Sequence, residues 1–130
     1  MPIPPALARD AVELRATTGL AVELIEEVGR VGVVLHQVPL LPGRFRIDAT
    51  DVLFLADQQY PLSALDMFWT ELGVVRPDGS IPQNADVVET YLGRQWRRFS
   101  WHRSGAWNPV GNKLIEHYAV MEQRWAVELR

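Results

Sequence analysis

The sequence contains no cysteine, and this absence limits the chemistry that the protein can perform. It excludes disulfide bonds, thiolate metal sites and a cysteine nucleophile. An excess of positive charge is also missing, because 16 acidic residues outweigh 13 lysines and arginines. The acidic balance and the few lysines argue against a nucleic-acid partner, although four arginines cluster between positions 94 and 103.

Long apolar runs are absent as well, so the sequence predicts no segment that spans or anchors in a membrane. The N-terminal stretch MPIPPALARD lacks the basic and then apolar layout of a secretory signal, and we expect a cytoplasmic protein. With 130 residues, of which 48% are hydrophobic, the chain predicts one domain over residues 1–130 with a single substantial core.

Apolar periodicity predicts a helix near each end of the chain. The first covers Ala6–Ala16 and follows two prolines, which are tolerated at a helix start. The second covers Asn112–Arg130, with Asn112 as its N-cap. The apolar stripe of this second helix contains Leu114, Tyr118, Met121 and Trp125. We expect Trp125 to be largely buried against the sheet.

Four strands of an antiparallel meander are predicted between the helices, at residues 20–28, 31–38, 50–56 and 65–70. The third, TDVLFLA, is continuously apolar, which is typical of a strand buried on both faces. Glycines and prolines interrupt residues 72–94, which predicts a long loop with a short helix at 85–91. A short strand at 96–101 follows, and the whole order is that of an α+β domain.

The stretch WRRFSWHRSGAWNP, residues 96–109, holds the candidate chemistry. If it is extended around Ser100, alternate side chains face opposite ways, and Phe99 and Trp101 enter the core. Three polar side chains then share the other face: Arg98, Ser100 and His102. A hydroxyl, a base and a cation on one face are what a serine nucleophile needs. The competing interpretation is a buried aromatic strand with a solvated polar face.

Two motifs resemble the ubiquitin-conjugating enzyme superfamily over roughly residues 20–129. YPLSALDMFW contains Tyr60-Pro61 and Phe68, at the places of that superfamily's Tyr-Pro and Phe motif. WRRFSWHRSGAWNPV contains Trp107-Asn108-Pro109, which resembles its Trp-x-Pro, and Ser100 lies close to the position of the catalytic cysteine. The motifs are most similar to a bacterial branch that has a histidine just after the nucleophile position and lacks the His-Pro-Asn motif.

The resemblance implies a ubiquitin-conjugating-like fold with an N-terminal helix, a four-stranded meander, a long active-site loop and a C-terminal helix. It also implies a transferase that carries a ubiquitin-like protein from an activating enzyme to an acceptor. Bacterial members are typically encoded beside a ubiquitin-like protein, an activating enzyme and a JAB-type peptidase, in systems linked to antiviral defence. No cofactor or metal is expected.

Because no thioester can form without cysteine, the resemblance implies an oxyester on Ser100 instead. His102 is the expected base, since the ordinary pKa of histidine, about 6.5, suits proton transfer near neutral pH. Arg98 either stabilises the tetrahedral intermediate or binds acidic groups of the partner. Asn84 is a candidate oxyanion donor. Trp107 and Asn108 are expected to support the loop beneath the site.

Three alternatives to this assignment stay open at the level of sequence. In the first alternative, the domain is a catalytically inactive scaffold that only binds a ubiquitin-like protein or an activating enzyme. In the second, Ser100 is an engineered replacement of a native cysteine, which would trap the intermediate as an ester. Ser104, beside Gly105, is a competing hydroxyl, although this dipeptide is typical of a turn.

Overall fold

Two helices and six strands make up the computed structural model, which describes residues 3–102, 106–111 and 113–128. The helices are α1 (Pro5–Thr18) and α2 (Leu114–Glu128). The strands are β1 (Val22–Glu27), β2 (Arg30–Pro39), β3 (Ala49–Ala56), β4 (Phe68–Thr70), β5 (Val87–Tyr91) and β6 (Arg94–Phe99). In the described part of the chain, no helix combines the length and the apolar character needed to cross a bilayer. The predicted cap at Asn112 lies outside the described residues.

The strands form one sheet in the order β1-β2-β3-β4-β6-β5, and every neighbouring pair is antiparallel. This confirms the α+β class, the terminal helices and the antiparallel meander. The four predicted meander strands correspond to β1–β4, and the predicted strand at 96–101 overlaps β6. The sheet is therefore larger than the predicted meander, because β6 and β5 continue it beyond β4.

The short helix predicted at residues 85–91 is wrong, because Val87–Tyr91 forms strand β5. This segment is rich in β-branched and aromatic residues, which favour strands. Leu92 and Gly93, with φ of 56° and 73°, then make a two-residue turn in which both residues have positive φ. The turn sets the hairpin register, which pairs Tyr91 with Arg94 and Val87 with Arg98.

The main core lies between the helices and one face of the sheet. Leu7 and Leu14 of α1, and Leu114 and Met121 of α2, are at most 1% exposed. Trp125 of α2 is buried as predicted, with its ring centroid 5.5 Å from that of Phe68 and 6.5 Å from that of Phe99. Helix α2 therefore packs directly against the strand that ends just before Ser100.

The opposite face of the sheet carries a second apolar cluster, which we call the outer cluster. Its buried members are Val34, Leu53, Trp69 and Trp96. The turn of the β5–β6 hairpin packs on it, since a Cβ atom on Gly32 would lie 2.8 Å from Leu92 Cδ1. The Leu92 amide donates to Glu27 Oε2 over 2.6 Å, so the hairpin contacts the far edge of the sheet. Burial on both faces of β3, as predicted, follows from these two clusters.

Candidate functional site

The backbone around Ser100 is fixed by the two aromatic residues that flank it. Phe99 and Trp101 are 0% and 4% exposed and contact each other with ring centroids 5.0 Å apart. Ser100 between them is half-buried and faces away from the main core. The Ser100 amide donates to the carbonyl of Asn84 over 3.0 Å. The predicted loop over 72–94 is shorter in the structure, since β5 begins at Val87, and the end of this β4–β5 loop is tied to the start of the candidate site.

Arg98 is held against the Ser100 hydroxyl. Its Nε donates to Ser100 Oγ over 2.9 Å, and its NH1 donates to Glu89 Oε2 over 3.2 Å. The other carboxylate oxygen of Glu89 accepts from Trp69 Nε1 over 2.8 Å. The guanidinium is therefore oriented from both sides. A cationic donor on a hydroxyl oxygen favours negative charge developing there and leaves the hydroxyl proton free to be given to a base.

His102 is paired with an aspartate that the sequence analysis did not single out. Its Nδ1 lies 2.7 Å from Asp66 Oδ2, and its side chain is 64% exposed. Asp66 sits inside YPLSALDMFW, just before β4, in the stretch predicted as strand 65–70. An acidic residue within an otherwise apolar, aromatic motif was the available signal, but 36 residues separate it from His102.

The remaining predicted site residues lie around this centre in different roles. Asn84 approaches Ser100 through its backbone carbonyl, while its side chain is exposed. Trp107 donates from Nε1 to the Pro61 carbonyl over 2.7 Å, which closes the loop against the Tyr60-Pro61 turn. Asn108 accepts from the Val110 amide over 3.0 Å. Ser104 lies outside the described residues.

Two other arginines of the 94–103 cluster, Arg94 and Arg97, bind within the chain. Arg97 is 8% exposed and donates to the carbonyls of Ala85 and Leu72 over 2.8 and 3.2 Å, and burial lowers its pKa. Arg94 pairs with Asp51 over 3.1 Å and lies over the ring of Trp96. Arg103 lies outside the described residues. Across residues 3–102, 106–111 and 113–128, no group of three or more His, Asp or Glu side chains is placed to hold a metal ion.

Comparison with known proteins places this arrangement in a family. A search of curated proteins and a search of solved structures gave no significant match. A family model described as "Prokaryotic E2 family E" matches residues 7–128, which include α1, all six strands and α2. A six-stranded antiparallel sheet, preceded and followed in the chain by a helix, agrees with the ubiquitin-conjugating fold that this description denotes. Because the match covers most of the chain, the protein belongs to prokaryotic E2 family E.

Proposed function

We propose that the protein is an acyl transferase that carries a ubiquitin-like protein as an oxyester on Ser100. Membership of an E2 family supports a role in ubiquitin-like conjugation. The observation that carries the serine assignment is the hydrogen bond from Arg98 Nε to Ser100 Oγ at 2.9 Å. It places a fixed positive charge beside the oxygen that gains negative charge as it gives up its proton to attack, and again as it leaves the ester.

In the first step, Ser100 Oγ attacks the activated C-terminal carbonyl carbon of the ubiquitin-like protein. The Oγ–C bond forms, the hydroxyl proton passes to His102 Nε2, and the bond from the carbonyl carbon to the activating group on the activating enzyme breaks, so that this group leaves with the bonding electron pair. In the second step an acceptor nucleophile attacks the ester carbon. The C–Oγ bond breaks, the Ser100 oxygen recovers its proton from His102, and the acceptor releases its own proton to solvent. The protein is thereby returned to its starting state.

The partners that this chemistry requires are a ubiquitin-like protein, an enzyme that activates it and an acceptor. A JAB-type peptidase that removes the modification, and a role in antiviral defence, belong to the same proposal. They come from the resemblance to bacterial members of the superfamily. No cofactor is required, since the activated carbonyl already carries the energy for transfer.

Adduct chemistry tests the proposal. Incubated with the ubiquitin-like protein, its activating enzyme and ATP, the protein should form an adduct that resists thiol reductants and is cleaved by hydroxylamine, as an ester is. Ser100→Ala should abolish the adduct, and Ser104→Ala serves as the matched control. Ser100→Cys should transfer through an adduct that thiols cleave, because thiolate is available near neutral pH.

The base assignment has its own measurement. His102→Ala should slow the serine enzyme about 10²–10⁴-fold, the usual contribution of a positioned general base. It should slow the Ser100→Cys variant less, because a thiolate needs less help from a base. An equal loss in both backgrounds would contradict the role of His102 as base. Retention of the adduct in Ser100→Ala would contradict the serine mechanism itself.

A non-catalytic scaffold is the second candidate, and one observation favours it. Arg98 donates to both Glu89 and Ser100 in the absence of any substrate, so these residues already have a structural role. Such a domain would bind a ubiquitin-like protein or its activating enzyme without forming a covalent bond. Tight binding with no adduct under any condition, and equal affinity in Ser100→Ala, would establish this function instead.

A further inference from the structure

We propose that Asp66 is a positioning residue that fixes the tautomer and the direction of His102, so that its Nε2 serves as the base for Ser100. This inference rests on the proposed function and adds a residue to it. The observation behind it is the contact of 2.7 Å between His102 Nδ1 and Asp66 Oδ2. Asp66 acts through His102 and touches no reacting atom.

The contact determines where the imidazole proton lies. An ionised carboxylate only accepts hydrogen bonds, so the Nδ1 atom that faces Asp66 carries the hydrogen. In the neutral ring, Nε2 then has a free lone pair. A histidine held in this way accepts a proton at Nε2, and the carboxylate behind it stabilises the imidazolium that results.

The surroundings of Asp66 direct its charge toward the histidine. Its second oxygen, Oδ1, is enclosed and finds no donor among the described residues. Within the described part of the chain, this carboxylate is therefore stabilised through the contact of its Oδ2 with His102 Nδ1. Asp66 sits next to Met67, whose φ of 59° turns the chain just before β4 begins. The Met67 carbonyl accepts from His117 Nε2 of α2 over 2.9 Å, which anchors the turn.

The face on which His102 lies follows from Trp101, the residue before it. Trp101 enters the main core, and its Nε1 donates to the Gln83 carbonyl over 2.9 Å. In an extended segment the neighbours of a buried residue share the opposite face, which places Ser100 and His102 on one side. With Nδ1 committed to Asp66, the nitrogen left for the Ser100 hydroxyl is Nε2.

The first experiment measures the tautomer and needs no partner protein. The ¹⁵N NMR shifts of His102 are recorded well above the ordinary histidine pKa of about 6.5. The wild-type ring should be protonated at Nδ1. Asp66→Asn should move the proton to Nε2, because an amide N–H can donate to Nδ1. Asp57→Asn is the matched control, since Asp57 accepts from the Gln59 amide instead. An unchanged tautomer in Asp66→Asn would overturn the inference.

The second experiment measures nucleophilicity with p-nitrophenyl acetate as the acyl donor, following nitrophenolate release and acetylation of Ser100 by mass spectrometry. Asp66→Asn should slow acetylation roughly 10- to 100-fold, below the 10²–10⁴-fold range of a general base because Asp66 acts only through His102. Asp66→Glu should restore part of the rate. In a His102→Ala background, Asp66→Asn should have no further effect, because residues that act as a unit are not additive.

The outcomes separate the inference from the proposed function. A full additional loss from Asp66→Asn in the His102→Ala background would show that Asp66 acts on structure alone, and would overturn the inference. A wild-type rate in Asp66→Asn despite a changed tautomer would overturn it too. Retention of the ubiquitin-like adduct in Ser100→Ala refutes the serine mechanism, whereas the NMR result by itself still decides whether Asp66 sets the tautomer.

Discussion

Replacing Trp125 tests the packing that holds the Ser100 segment in place. Its indole is 6% exposed and lies against Phe45, Phe68 and Phe99, with ring centroids 5.5–6.5 Å apart. Removing a buried tryptophan side chain costs about 3–5 kcal/mol when the site cannot collapse. For a domain of this size, that loss should lower the melting temperature by roughly 10–20 °C.

The matched variant is Trp125→Phe, because the indole Nε1 is buried and has no hydrogen-bond partner in the described structure. An unsatisfied buried donor is itself unfavourable by about 1–3 kcal/mol. Phenylalanine keeps an aromatic ring and removes that donor, so the net cost of Trp125→Phe should be below about 1.5 kcal/mol.

Urea unfolding followed by far-UV circular dichroism measures both variants against the wild type. The slope of the unfolding free energy against urea should stay constant, so that midpoint shifts report stability. Equal losses in Trp125→Ala and Trp125→Phe would contradict the argument about the unsatisfied donor. An unchanged urea midpoint in Trp125→Ala would contradict the burial of the apolar stripe of α2.

Two further predictions concern the sheet. Burial alone would raise the pKa of Asp51. The hydrogen bonds from the Gln37 amide and the Arg94 guanidinium lower this pKa by more than burial raises it, so the net pKa lies below its ordinary value. Asp51 therefore stabilises the fold above the unfolded pKa of about 3.9, and this contribution is lost as the pH falls through the folded pKa. Urea unfolding at neutral and acidic pH should show that Asp51→Asn loses less unfolding free energy on acidification than the wild type does. An identical loss in the two proteins would contradict this role of Asp51. Gly32→Ala should cost about 1 kcal/mol, the low end of overpacking, because the new Cβ meets the flexible side-chain ends of Leu92 and Leu53. Combined with Leu92→Ala, the stability loss should be smaller than the sum of the two single losses, and strict additivity would refute the contact.

Much of the fold could be predicted from the sequence because local pattern and tertiary environment agree there. The stripe of α2 has the period of a helix with one buried face, and the continuous apolar run of β3 suits a strand that is buried on both faces. The aromatic residues around Ser100 likewise fix its orientation, since Phe99 and Trp101 must both be buried. The sequence alone therefore determined the α+β class, the family resemblance and the shared face of Arg98 and Ser100.

Only the tertiary structure decided the contacts between distant segments. Residues 87–91 have no strong period of their own, and they become strand β5 because β6 and the Leu92-Gly93 turn offer a pairing edge. The partner of His102 is Asp66, which reaches it because Met67 turns the chain before β4. Glu89 can orient Arg98 because the register of the β5–β6 hairpin places Glu89 opposite β6. Such contacts depend on chain reversal and sheet order, which local residue spacing does not encode.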